Sequence, residues 1–363
     1  MKQEIRFCQS RDGIRIAYAV SGDGPPLVRV ANWLTHLNLD WESPIWSHWF
    51  GEFSDGYSFV RYDPRGTGLS DRQVSMVSLE TWLEDLEAVV DDLKLKQFNL
   101  IGFCQGSPVA TAYAALHPER ISRLVLYDGY AYGAFAEGVD PVKKQEAETL
   151  AQMIEIGWGR QTTAFRQVFT NLLVPGATAE QQTWFTEFER KTVSAEFAAQ
   201  LWRAFHRLDI RTLAGKVKAP TLVLHVRGDA MVPFEAGLQL AALIPRSRFV
   251  PLEGKNHILL GDEPAWQRFK VEVRSFLEIS TGVFEPLEEH IESIFPELTR
   301  REYEILDLIA LGLSNGDIAE RLFVTPKTIR NHITHIYRKL NVHKRSQAIV
   351  LAREAGLGHY NPN

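Results

Sequence analysis

Several side-chain groupings along this 363-residue chain are of types that do chemistry. Near the C-terminus, Lys327, Thr328, Arg330, Asn331, Thr334 and His335 take the outward positions of an amphipathic stretch. Its inward positions are Ile329, His332, Ile333, Ile336, Tyr337 and Leu340. Arginine and asparagine are the residue types that pair bidentately with guanine and adenine edges. Arg338, Lys339, Lys344 and Arg345 follow, as cations suited to neutralising phosphates. In the first half, Cys104 stands between Gly102 and Gly106, where a strand-like run passes into a helix-like one. A thiol is a strong nucleophile once a histidine takes its proton, and a helix N-terminus favours the thiolate. Asp229 and His257 come later, beside Gly228 and Asn256.

The elements that must carry the basic residues have clear start and stop signals. Thr299-Arg300-Arg301-Glu302 reads as a capping box before a helix with Ile305, Leu306, Leu308 and Ile309, closed by Gly312. Ser314 to Asp317 caps a short second helix, and Thr325-Pro326 opens a third, with proline where no amide donor is lost. A fourth covers roughly Arg345 to Glu354. A short helix, a tight turn and a longer helix form a helix-turn-helix, whose longer helix would lie in the major groove. This stretch resembles the LuxR-type helix-turn-helix family through Leu298-Thr299, Arg301-Glu302, Gly312-Leu313-Ser314-Asn315, Ile318-Ala319, Leu322, Thr328-Ile329-Arg330-Asn331-His332, Lys339-Leu340-Asn341-Val342 and Arg345. The resemblance implies double-stranded DNA as partner, base readout at Arg330, Asn331 and Thr334, and a homodimer formed through the last helix. Thr334 stands where many members of that family carry lysine.

The body of the chain alternates strands and helices. Ile14–Val20, Leu27–Val30, Ser58–Tyr62, Phe98–Gly102, Ser122–Tyr127, Thr221–Val226 and Ser247–Leu252 read as strands. Leu79–Leu93, Gly106–His117 and Pro264–Ile279 read as helices, giving an α/β class with a mostly parallel sheet. Residues 133–212 break the alternation with helical stretches rich in Phe and Trp and no strand.

The body resembles the α/β-hydrolase fold over about 270 residues. The loop Asp63-Pro64-Arg65-Gly66-Thr67-Gly68, the Gly102-Phe103-Cys104-Gln105-Gly106 elbow, Gly228-Asp229 and Asn256-His257 follow in that fold's order. The departure is cysteine where serine is usual, as in dienelactone hydrolases of the same fold. The resemblance implies a Cys104 nucleophile, a His257 base and Asp229 to orient it, with Asp128 as the other available acid. The oxyanion hole would use the amide of Gln105 and one near Asn32-Trp33, which replaces the usual His-Gly. Residues 133–212 would be a lid over a pocket for a hydrophobic small molecule. No metal or cofactor is implied.

Bulk composition agrees. Hydrophobic residues are 45% and charged residues 23%, as in well-cored globular chains. Net charge is −5, but Pro296 onward carries ten Lys/Arg against seven Asp/Glu, leaving 30 against 38 for the rest. A basic tail on an acidic body suits a nucleic-acid contact at one end. Two cysteines, Cys8 and Cys104, make no disulfide framework, and no apolar run is long enough to span a bilayer. A polar N-terminus without a signal segment predicts a cytoplasmic protein. The expected organisation is a hydrolase-fold ligand-sensing domain (1–279), a linker (280–297) holding a short helix, and a DNA-binding domain (298–363). The expected function is a ligand-responsive transcription regulator. A cysteine-dependent ester or lactone hydrolase with a regulatory tail, and a redox regulator working through Cys104 sulfenic acid, are the competing readings.

Overall fold

Every residue of Phe98–Phe103 is buried, and so is every residue of Thr221–Val226. Runs buried on both faces are what parallel strands under two helical layers require. The computed structural model describes residues 2–74, 76–158, 163–278, 295–322, 324–355 and 357. It separates into two units, residues 1–279 and 280–363. The short helix expected between 280 and 297 falls largely outside the described residues.

In the first unit the elements run β1 (Gln3–Gln9), β2 (Arg15–Ser21), β3 (Pro26–Val30), α1 (Leu37–Trp41), α2 (Ser47–Ser54), β4 (Ser58–Tyr62), α3 (Leu79–Asp92), β5 (Phe98–Phe103), α4 (Gly106–Leu116) and β6 (Ile121–Tyr127). Five helices follow: α5 (Pro141–Gly157), α6 (Thr163–Leu173), α7 (Ala179–Thr192), α8 (Ala195–His206) and α9 (Arg211–Ala214). Then come β7 (Thr221–Val226), α10 (Phe234–Leu243), β8 (Ser247–Leu252) and α11 (Pro264–Glu278). The sheet order is β1-β2-β4-β3-β5-β6-β7-β8. β1 and β2 pair antiparallel, as do β2 and β4, and the remaining pairs are parallel. The six parallel strands from β3 to β8 therefore end on one side, where such sheets place their ligands.

β1 escapes the sequence reading because its residues are half-buried or exposed at an edge, so its hydrophobic pattern is faint. α3 begins at a capping box between Ser78 and Thr81 and buries Trp82, Leu86, Val89 and Val90. The Asp63 loop is structural: Asp63 Oδ2 accepts from the Leu37 and Leu69 amides at 3.1 and 2.9 Å, and Arg65 pairs with Asp85 and Asp12. Gly68 in that loop has φ +53°, and a Cβ there would come within 2.1 Å of the Asp63 carboxylate.

The second unit holds α12 (Arg300–Ala310), α13 (Asn315–Arg321), α14 (Pro326–Lys339) and α15 (Arg345–Glu354). Capping boxes start α12 (Thr299 with Glu302) and α13 (Ser314 with Asp317), and Thr325 caps α14. Ile305, Leu306, Ile309, Ile318, Ile329 and Ile336 close a core of their own. Each such side chain contributes about 1.5–3 kcal/mol by burial. Gly312 and Asn341 end α12 and α14 at φ +85° and +51°, the left-handed stop that relieves the last carbonyls.

Candidate active site and nucleic-acid interface

Cys104 sits on the turn from β5 into α4 with φ +47°, a conformation a side chain adopts only under constraint. Its amide donates to the Tyr127 carbonyl at 2.9 Å. The flanking glycines are what let the turn close. A Cβ on Gly102 would lie 2.7 Å from the Gly106 carbonyl oxygen, and one on Gly106 would lie 2.9 Å from those of Val30 and Ala31. Cys104 thus projects into a cavity lined by Asn32, Trp33, Gln105 and His257, and by Phe185 and Phe188 of α7. The space left is about 30 Å³, when a single water needs on the order of 10–15 Å³. Only a few heavy atoms fit unless α6 and α7 shift.

His257 lies in the loop after β8, buried, with Nδ1 2.7 Å from Asp229 Oδ2. Asp229 Oδ1 accepts from the Met231 and Val232 amides at 2.7 and 3.2 Å. The structure therefore brings Cys104, His257, Asp229, Gln105, Asn32 and Trp33 to one place. Burial opposes charge on His257, but the Asp229 carboxylate, and Cys104 once it gives up its proton, outweigh it and raise the ring well above the ordinary imidazole range. Cys104 behaves otherwise than its position at a helix start suggests. Burial pushes the thiol up, and the neighbouring His257 only partly offsets this. The resting group is therefore a neutral thiol.

The aromatic stretch of 158–205 divides by role. Phe185 and Phe188 reach the cavity, whereas Trp158, Phe169 and Trp202 clamp Trp33, with ring centroids 5.6, 5.5 and 5.3 Å away. Phe205 stacks on Trp82 at 4.4 Å and is not among the residues that line the cavity. Arg29 was missed from sequence. It is buried in β3 over the rings of Trp46, Phe50 and Phe103, and it donates to the Asn32 side-chain oxygen. A lone arginine inside the apolar run Leu27-Val28-Arg29-Val30 was the available signal. Donor atoms of Asp128, Asp229 and His257 all lie within 4.8 Å of one another, so a cation would compete for the atoms that make the Asp229–His257 hydrogen bond.

On α14, Lys327, Arg330, Asn331, Thr334, His335 and Arg338 are exposed, as is Lys344 beyond it, and Ile329, Ile333 and Ile336 are buried on the other side. Thr328 is half-buried, and its hydroxyl pairs with that of Thr325 at the helix cap. Two of the expected phosphate cations are engaged within the unit. Lys339 Nζ binds Glu302 Oε2 at 2.6 Å, and Arg345 binds the Asn315 side-chain oxygen at 2.9 Å and the Leu313 carbonyl. Both are half-buried, so their charge serves helix packing first.

Residues 36–264 match the family model of the alpha/beta hydrolase fold, and residues 296–352 that of the bacterial regulatory proteins of the luxR family. The chain belongs to the α/β-hydrolase-fold family and carries a DNA-binding LuxR-type unit at its C-terminal end. Over 254 residues it is 26% identical to the AB hydrolase superfamily protein YisY of Bacillus subtilis, covering 65% of this chain and 86% of that protein. Over 55 residues, 15% of this chain, it is 56% identical to the transcriptional regulatory protein LiaR of the same organism, of which that covers 26%. Its fold is similar to that of an esterase from Exiguobacterium antarcticum, with TM-score 0.65 and 24% identity over 75% of this chain and 98% of that one. Among the described residues no helix is long and apolar enough to cross a membrane.

Proposed function

We propose that this chain is a cytoplasmic, homodimeric transcription regulator whose hydrolase-fold unit reads a small hydrophobic ester, lactone or acyl compound at Cys104, His257 and Asp229. The observation that carries this reading is the narrow aromatic cavity in which Cys104 meets His257, in a chain that ends in a DNA-binding unit. In this reading Cys104 Sγ attacks the ligand's carbonyl carbon while the thiol proton passes to His257. The Gln105 amide and a donor from Asn32-Trp33 receive the oxyanion. His257 then returns the proton to the leaving oxygen, and Asp229 keeps the ring oriented throughout. A neutral, buried thiol under a closed cap favours binding or slow acylation over rapid turnover.

Chromogenic short-chain esters and lactones with wild type and Cys104→Ala test this, alongside band shifts on genomic fragments. A compound that stabilises the protein against heat and changes its DNA affinity, with little turnover, is the expected result. Fast saturable hydrolysis lost in Cys104→Ala, with DNA affinity unmoved by every compound, would make the protein a hydrolase with a regulatory tail. Arg330→Ala should cost about 1–3 kcal/mol of sequence-specific DNA affinity.

A further inference from the structure

Asp128 is a second carboxyl at the same histidine. It ends β6 with φ +45°, and β6 and β7 pair in parallel, so Asp128 and Asp229 leave adjacent strand ends. Asp128 Oδ1 accepts from the Val226 amide at 2.7 Å. Its Oδ2 is buried, makes no hydrogen bond of normal geometry, and lies 3.6 Å from His257 Nδ1. Asp229 Oδ2 approaches that same nitrogen at 2.7 Å.

The surroundings limit how much charge this cluster can hold. From β7, His225 Nε2 lies 3.7 Å from Asp128 Oδ1 and 3.9 Å from Asp229 Oδ2, but it donates to the Val232 carbonyl at 2.9 Å. Burial holds His225 below the ordinary imidazole range, so it brings no positive charge. From β6, the Tyr127 hydroxyl gives its proton to the His257 carbonyl at 2.8 Å and also stands close to the Asp128 carboxyl, whose charge it favours. From the elbow, the Cys104 thiol is neutral, and the Glu263 carboxylate acts by its charge on Tyr127. His257 is thus the one cation available to two buried carboxyls, and it becomes one when it takes the Cys104 proton. Two like charges this close in a dry site cannot both ionise freely.

We infer that Asp128 and Asp229 work as one acid unit: the two carboxyls share a single proton, and either can hold the Nδ1–H of His257. In the resting protein Asp128 keeps the proton. It accepts one main-chain amide, while Asp229 accepts two and the imidazole. Burial and then the Asp229 charge also push Asp128 well above the usual carboxylate range. If Asp229 is made neutral, Asp128 ionises and takes over the Nδ1–H. Asp128 is in this sense a positioning residue, and the inference rests on the reading of Cys104 and His257 given above.

The test uses the full-length protein with Cys8→Ser, so that alkylation reports Cys104 alone. Proton NMR is read for the far-downfield Nδ1–H resonance of a carboxylate-bound imidazole, assigned by its loss in His257→Ala. The signal should persist in Asp229→Asn and in Asp128→Asn and vanish when both are replaced. The pH profile of Cys104 alkylation by iodoacetamide should follow. Each single variant should change the neutral-pH rate less than about threefold, and the double should lower it about tenfold or more. Loss of the resonance in Asp229→Asn as complete as in His257→Ala would overturn the shared unit. Those two variants decide the matter even where the double does not fold. Alkylation unaffected by His257→Ala would instead sink the reading of Cys104 and His257 as a pair, with the resonance still reporting on the two acids.

Discussion

Glu302 shows what one side chain of the helical unit does. It completes the capping box of α12 through the Thr299 amide and hydroxyl, and it binds Lys339 at the far end of α14. Burial alone would raise its carboxyl, but the bonds from Lys339 and Thr299 outweigh that and bring it down to about 2. The unfolded value near 4.5 is higher, so the unfolded chain binds the proton more readily. The stabilisation is complete above about pH 4.5 and is lost as pH falls toward 2. Glu302→Gln should cost about 1–3 kcal/mol at pH 7 and flatten this acid limb. Denaturation followed by circular dichroism at pH 7, 4.5 and 3 reads it. Parallel loss in wild type and variant across that range would refute the assignment.

At the scale of elements, the loop bearing His257 is fastened to the cap. The Gly176 amide donates to Asn256 Oδ1 at 2.7 Å, and the Ile258 amide donates to the Leu173 carbonyl at 3.1 Å. Asn256 Nδ2 in turn donates to Glu263 at 2.6 Å. The cap and the histidine loop are thereby linked through one buried asparagine and one main-chain bond. Asn256→Ala leaves Glu263 and the Gly176 amide short of a partner, which costs about 1–3 kcal/mol. Thermal unfolding of the first unit should report that loss, and Cys104 alkylation should quicken as the cap loosens. Unchanged alkylation in a destabilised variant would show that the cap and this loop move independently.

At the scale of the molecule, each unit closes its own hydrophobic core. All nine tryptophans lie at or before Trp266, so their fluorescence follows the first unit alone. Residues 295–363 purified alone should unfold cooperatively and keep sequence preference for DNA, while losing any response to compounds that modify Cys104. Non-cooperative melting of that fragment would show that its core depends on the rest of the chain. Lys327→Ala should weaken DNA binding across sequences and lower the salt dependence by about one ion. Lys339→Met should act mainly by lowering stability.

Sequence alone determined the local features. The capping box at Thr299, the cap at Ser314, the proline opening α14 and the apolar runs of β5 and β7 each express backbone and hydrophobic rules within a few residues. The order Cys104, Asp229, His257 was legible for the same reason, as short segments with fixed roles in a resembling fold. Tertiary structure decided what depends on residues far apart in the chain. It committed Lys339 and Arg345 to the interior of their unit and gave Trp158, Phe169 and Trp202 of the cap to packing around Trp33. It kept Cys104 a neutral thiol by burying it, and it set Asp128 beside Asp229 at one histidine. Burial and the distance between charges follow from how the strands and cap come together, and no spacing along the chain encodes them directly.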